Sequence, residues 1–115
     1  MNRISHFLRA KTQYNLHSPF AYRLYTEVLF SYAPGRRRSA EDVRWRLERY
    51  YGSTFIGDRL NTADGVFLVV DHPHKKEDVW NTIVAGTEWQ ATFDLYSCGI
   101  AVQSSKLSKQ HFLLR

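Results

Sequence analysis

The stretch DHPH, Asp71 to His74, places a carboxylate and two imidazoles within four residues, directly after the apolar run VFLVV. A divalent metal accepts imidazole nitrogens and carboxylate oxygens, but a usable site needs three or four converging ligands. The other histidines, His6, His17 and His111, show no ligand spacing. Pro73 between the two histidines suits the first position of a helix, where its missing N–H costs nothing. The stretch therefore reads first as a strand-to-helix turn, with a metal site and a ligand corner as alternatives. The carboxyl end of a strand is where α/β sheets bind ligands, so Asp71, His72 and His74 form the candidate ligand corner.

Four further groups can carry chemistry, each with a plainer reading beside it. Arg36, Arg37 and Arg38 form a candidate anion patch ahead of a helix, although a charge run in a surface loop is usually only solvated. Asp94 falls on the strand face opposite Phe93, and a buried acid is costly unless paired. It is expected to hold a neighbouring loop or an arginine rather than to act as a base. Cys98 beside Gly99 lacks the local base or positive field that activates a thiol, so it reads as a small turn or core residue. His17 in HSPF reads as a structural residue beside the helix cap.

The elements that must position these residues follow from spacing. Ile4, Phe7 and Leu8 suggest a short first helix. HSPFAYRLYTEVLF starts another, with Ser18 as N-cap, Pro19 at the first helical position, and Pro34-Gly35 beyond its end. RRRSAEDVRWRLERYYG gives a third helix, capped by Ser39 and stopped at Gly52, with Val43, Leu47 and Tyr50 inward. GVFLVV is a continuous apolar run of the kind found in a strand buried on both faces. KKEDVWNTIVAG reads as a helix with Val79, Trp80, Ile83 and Val84 inward and acids in its first turn. WQATFDLY alternates, GIAV and QHFLLR read as two more strands, and FIGD, Phe55 to Asp58, as a further short one. The order predicts an α/β chain of α+β character: N-terminal helices packed on a small mixed sheet, built from a β-α-β unit with antiparallel additions. It is expected to be a single domain over residues 1–115, with a helical segment at 1–52 and a sheet segment at 53–115.

Bulk properties narrow the class. A chain of 115 residues, 43% hydrophobic and 15% aromatic, can bury one core without staples. The single cysteine excludes an internal disulfide and a zinc knuckle, as expected of a reducing compartment. No stretch approaches the length of a membrane span and MNRISHFLRA lacks a signal-peptide core, so a cytoplasmic location is expected. The net charge of +5 is uneven: residues 1–57 carry ten Lys/Arg against four Asp/Glu, and residues 58–115 six against seven. A basic half can meet an anionic partner, yet no RNA-binding consensus is present, and the aromatics fall mostly at core spacing.

Several pieces together resemble a family. HSPF at His17 to Phe20, DHPH at Asp71 to His74, VWNTI around Trp80, TFDLYSCGIAV from Thr92, and KQHFLLR from Lys109 are similar to the class I S-adenosylmethionine-dependent methyltransferases of Bacteroidetes-type bacteria. Those enzymes carry His-Ser-Pro-Phe, Asp-Asp-Ile-His, Thr-Ile-Asp-Leu-Phe and Lys-Gln-His-Phe in the same order, the last three within about fifty residues. The resemblance implies a sheet like the C-terminal part of a Rossmann-like methyltransferase. It also implies a Gly-rich loop and a ribose-binding acid, which this chain lacks. Only thirteen residues separate Tyr51 from Gly65, too few for two further strands and their helices, and His72 replaces the family's second Asp. The expectation is therefore a degenerate, non-catalytic relative without a cofactor, acting as a binding, regulatory or oligomerisation module. The alternatives are an enzyme completed by a partner and a basic anion- or RNA-binding module. A sheet cut from a larger one leaves an edge to be covered, so a homodimer is expected.

Overall fold

The computed structural model describes residues 18–29 and 39–114. Helix α1, Pro19–Arg23, opens as its sequence requires: Ser18 Oγ accepts the Ala21 N–H at 3.3 Å, and Pro19 takes the first helical position. The chain then continues as a π-helical segment, Leu24–Leu29, which the apolar spacing did not announce. The wider turn still buries Leu24, Tyr25, Val28 and Leu29 together. Helix α2, Ala40–Tyr51, is capped by Ser39 Oγ, which accepts the Asp42 N–H at 3.1 Å, and it ends at Gly52 with φ of 66°. That left-handed cap favours glycine. The short helix at residues 4–8, His6, His17, and the anion patch Arg36, Arg37 and Arg38 lie outside the described residues.

Five strands form one mixed sheet in the order β1-β2-β4-β3-β5: β1 Arg59–Thr62, β2 Gly65–Asp71, β3 Ala91–Asp94, β4 Cys98–Gln103 and β5 Gln110–Leu113. Helix α3, Glu77–Ala85, connects β2 to β3 after a single 3-10 turn, Pro73–Lys75. An α+β fold of helices on a small mixed sheet is thus present, with three corrections to the expected elements. The first strand lies at Arg59–Thr62, and FIGD contributes only a bridge, Ile56 to Arg59. Strands β2 and β3 do not pair; β4 runs antiparallel between them, so the β-α-β crossover spans an inserted strand. Finally, β5 adds to β3 in parallel rather than antiparallel fashion.

Period-two alternation sends the two faces of the sheet to different layers. Phe67, Val69, Phe93, Ile100 and Val102 are buried with α1 and α2. Phe20 lies 6.4 Å from Phe67 and 6.3 Å from Phe93, ring to ring, and Tyr51 lies 5.2 Å from Phe67. The opposite face carries Thr92, Asp94, Gly99, Ala101 and His111 beneath α3. Because α3 has only nine residues, it covers this face in part, and Leu68 and Val70 are half-buried rather than fully enclosed. The buried strands are β3, at every residue, and β4, at all but Gln103, with β4 at the centre of the sheet.

Other sequence expectations shift for physical reasons. Tyr50 is exposed and its hydroxyl donates to Glu27 at 2.6 Å. Tyr51 takes the inward place, donating to Asp64 at 2.8 Å, and burial together with Asp64 pushes its pKa above the usual tyrosine range. Val79 is exposed, because α3 turns only the Trp80 side fully onto the sheet. Of the two readings of Cys98 the core one holds: it is buried in β4 and not in the preceding turn. Beyond Leu68, β2 has no β1 partner, and Arg44 donates there to the Val69 carbonyl at 3.2 Å.

Candidate functional site

The carboxyl ends of β2, β3 and β5 point the same way, and the loops leaving β2 and β3 are tied together. The His72 N–H donates to the Ser97 carbonyl at 3.0 Å. His74 Nε2 lies 2.7 Å from Asp94 Oδ2, and the His74 ring stacks on Tyr96 with centroids 5.1 Å apart. Asp94 is 1% exposed, and its second oxygen accepts the Tyr96 N–H at 2.8 Å. A buried carboxylate is stable only when its oxygens find such partners. The acid does hold a neighbouring loop, as its strand position suggested, and its side-chain partner is a histidine rather than an arginine.

The backbone here is strained. Tyr96 has φ of 67°, and the Ser97 N–H donates to the Leu95 carbonyl at 2.8 Å, closing a tight turn around Tyr96. His72 has φ of 44°. Among the described residues these are the two non-glycine positions in the left-handed region, and they flank the His74–Asp94 contact from either side. Such conformations cost about 1–3 kcal/mol each and persist where the surroundings over-determine them.

The expected corner of Asp71, His72 and His74 is divided by this geometry. Asp71 and His72 face solvent and contact each other, Oδ1 to Nδ1, at 2.9 Å. His74 turns the other way, under α3. Two histidines two residues apart meet the same environment only in an extended strand, and the left-handed His72 followed by the Pro73 turn separates them. Among the described residues no cluster of three or more His, Cys, Asp or Glu could hold a metal ion.

What His74 and Asp94 join instead is an open cleft of about 580 Å³ between α3 and the ends of β3 and β5. Its polar lining is completed by Glu77, Asn81 and His111. Trp80 and Leu113 form apolar wall. His111, which spacing alone did not connect to anything, is placed by the parallel β3–β5 register that sets it opposite Thr92. Its Nδ1 is 2.7 Å from the buried Thr92 hydroxyl. The signal in the sequence was the KQHF segment itself, in which each side chain is used. Lys109 Nζ donates to the Gly86 and Trp89 carbonyls, and Phe112 stacks on Phe93 at 5.2 Å.

The pKa of His111 is lowered, first by partial burial and then by Lys109 and His74, against an opposing pull from Asp94. The unfolded chain thus takes up a proton at higher pH than the folded chain does. This residue's contribution to stability is whole above the ordinary histidine value of 6.5 and is lost as pH falls below it. Urea unfolding between pH 7.5 and 5 is expected to show a shallower pH slope for His111→Gln than for the native chain. A native chain that gains stability relative to the variant on acidification would reverse the assignment.

The arginines of α2 are used within the fold. Arg44 holds the Val69 carbonyl, Arg46 Nε pairs with Asp42 at 2.9 Å, and Arg49 lies over the Trp45 ring at 4.8 Å. Among the described residues no helix is long and apolar enough to cross a membrane. Comparison of the chain with family models, curated proteins and solved structures gives no match.

Proposed function

We propose that this domain is a non-catalytic binding module, a reduced relative of the class I methyltransferases, whose ligand site is the cleft beside His74 and Asp94. The observation that carries the reading is the placement of backbone strain. Both left-handed non-glycine residues stand at the carboxyl ends of β2 and β3, where α/β sheets take their ligands. The strain is held by the His72–Ser97, His74–Asp94 and Tyr96–Asp94 contacts. Support for the ancestry is local: the crossover β2-α3-β3 with β4 inserted antiparallel, and a KQHF segment that locks the end of the sheet. Among the described residues ahead of β2 there is one four-residue strand, β1, in a hairpin, with no strand–loop–helix unit to cradle a nucleotide.

Calorimetry of the full chain with S-adenosylmethionine and with S-adenosylhomocysteine tests the reading. No heat of binding is expected from either. Stoichiometric binding of an adenosyl ligand by a single copy would restore an enzymatic role. Self-association belongs to the same proposal, because among the described residues β5 and β1 are the edge strands and an unpaired edge is a template for pairing with another copy. Light scattering in the same samples is expected to give a dimer, and a monomer across concentrations removes that part.

A further inference from the structure

We propose that two copies of this chain associate through the outer face of α2, the helices packed antiparallel about a two-fold axis at Trp45. This rests on the reading that the chain self-associates, and it moves the contact from a sheet edge to a helix face. Helix α2 turns Ala40, Val43 and Leu47 into the core. Helical spacing then sends Glu41, Trp45 and Arg49 outward in one line, and all three are exposed. Trp45 is 53% exposed, whereas Trp80 and Trp89 are each 3% exposed. The Arg49 guanidinium lies 4.8 Å from the centre of the exposed indole. Tryptophan and arginine are among the residue types enriched at the energetic centre of protein contacts.

The order of charges along this face names the partner as a second copy. The acids Glu41 and Asp42 stand in the first turn, and Arg49 stands in the last. Arg46 pairs with Asp42 at 2.9 Å along one flank. The two charges that break the order are turned aside: Arg44 donates to the Val69 carbonyl at 3.2 Å, and Glu48 accepts the Phe55 N–H at 2.8 Å. A two-fold contact sets residue i against residue j and residue j against residue i. With Trp45 against its own copy, Glu41 of each chain meets Arg49 of the other, because both lie four residues from the axis, a rise of about 6 Å. A parallel contact would set acid on acid and base on base. A polyanion would meet Glu41 and Asp42 here, and a lipid surface would find Trp45 flanked by charges along the line. Both sheet edges, by contrast, are strands of four residues. One face of a 12-residue helix buries less than the roughly 800 Å² per partner of tight complexes, so a dimer of micromolar strength is expected.

Sedimentation equilibrium of the full chain, from low micromolar to submillimolar concentration, tests this. The native chain is expected to pass from monomer to dimer across that range. Glu41→Arg sets like charges across the axis, and so does Arg49→Glu. Each is expected to weaken association at least about ten-fold. Mixed in equal amounts, the two variants regain opposite charges at both contacts, and the mixture is expected to dimerise as the native chain does. That recovery cannot come from misfolded parents, and far-ultraviolet circular dichroism of each variant checks the fold directly. Trp45→Ala is expected to weaken association by a similar factor without recovery in any mixture. Either charge variant associating like the native chain overturns the proposal, and so does an equimolar mixture that stays monomeric. A native dimer untouched by all three substitutions removes the α2 contact and leaves edge pairing standing. A native chain that is monomeric throughout removes self-association altogether, while the adenosyl titrations still decide the reading of the cleft.

Discussion

Asp94→Ala is expected to lower the folding free energy by about 3 kcal/mol, seen as a reduced urea midpoint at unchanged slope. The carboxylate is buried and serves two partners at once, His74 Nε2 at 2.7 Å and the Tyr96 N–H at 2.8 Å. Alanine removes both acceptors and leaves a cavity where water does not easily replace them. It also releases the turn that holds Tyr96 at φ 67°, so part of the loss reflects strain no longer restrained. Asp94→Asn keeps a carbonyl oxygen for the Tyr96 N–H and needs His74 only to change tautomer. Its cost is expected to be about 1 kcal/mol. Because the contact is shared, Asp94→Ala and His74→Ala should be non-additive: the double variant loses less than the two single losses together, by about 1 kcal/mol or more. Additive losses would mean that the two residues act separately, and a loss below about 0.5 kcal/mol for Asp94→Ala would mean that the carboxylate is not a structural centre of the site.

What could be seen in the chain beforehand divides along the range of the interaction involved. Caps are local, so Ser18, Ser39 and Gly52 announced their helices and were found in those roles. Alternation in WQATFDLY separated Phe93 from Asp94 correctly, because a strand has a strict period of two. Legibility ended where partners lie far apart in sequence. Nothing near DHPH indicates that His74 meets Asp94, or that His72 and His74 face opposite environments, since both facts depend on a left-handed residue followed by a turn. The placement of His111 depends on a parallel register between β3 and β5, which no local pattern encodes. The wide turn of residues 24–29 was likewise hidden, because the same apolar residues face inward whether the helix is tight or wide.

The same dependence on distant partners makes Gly99 the second sensitive position. A Cβ built there meets two ring carbons of Trp80, Cη2 and Cζ3, at 2.6 Å and a third, Cε3, at 3.1 Å. The register puts Gly99 between Val70 and Asp94 on the α3 face of the sheet, and Trp80, 3% exposed, lies flat across the space that the missing side chain leaves. A rigid indole cannot yield as the end of a flexible chain does, so Gly99→Ala must lift α3 or tilt the ring into the cleft. The expected loss is about 2–3 kcal/mol. Trp80→Leu opens a cavity instead and is expected to cost about 3 kcal/mol. Combining the two should recover part of both losses, because the alanine methyl enters space that the indole vacated. Urea unfolding of the four chains checks this, and near-ultraviolet circular dichroism reports whether the indole has turned. The assignment fails if Gly99→Ala unfolds like the native chain, or if the double variant is no better than the sum of its parts.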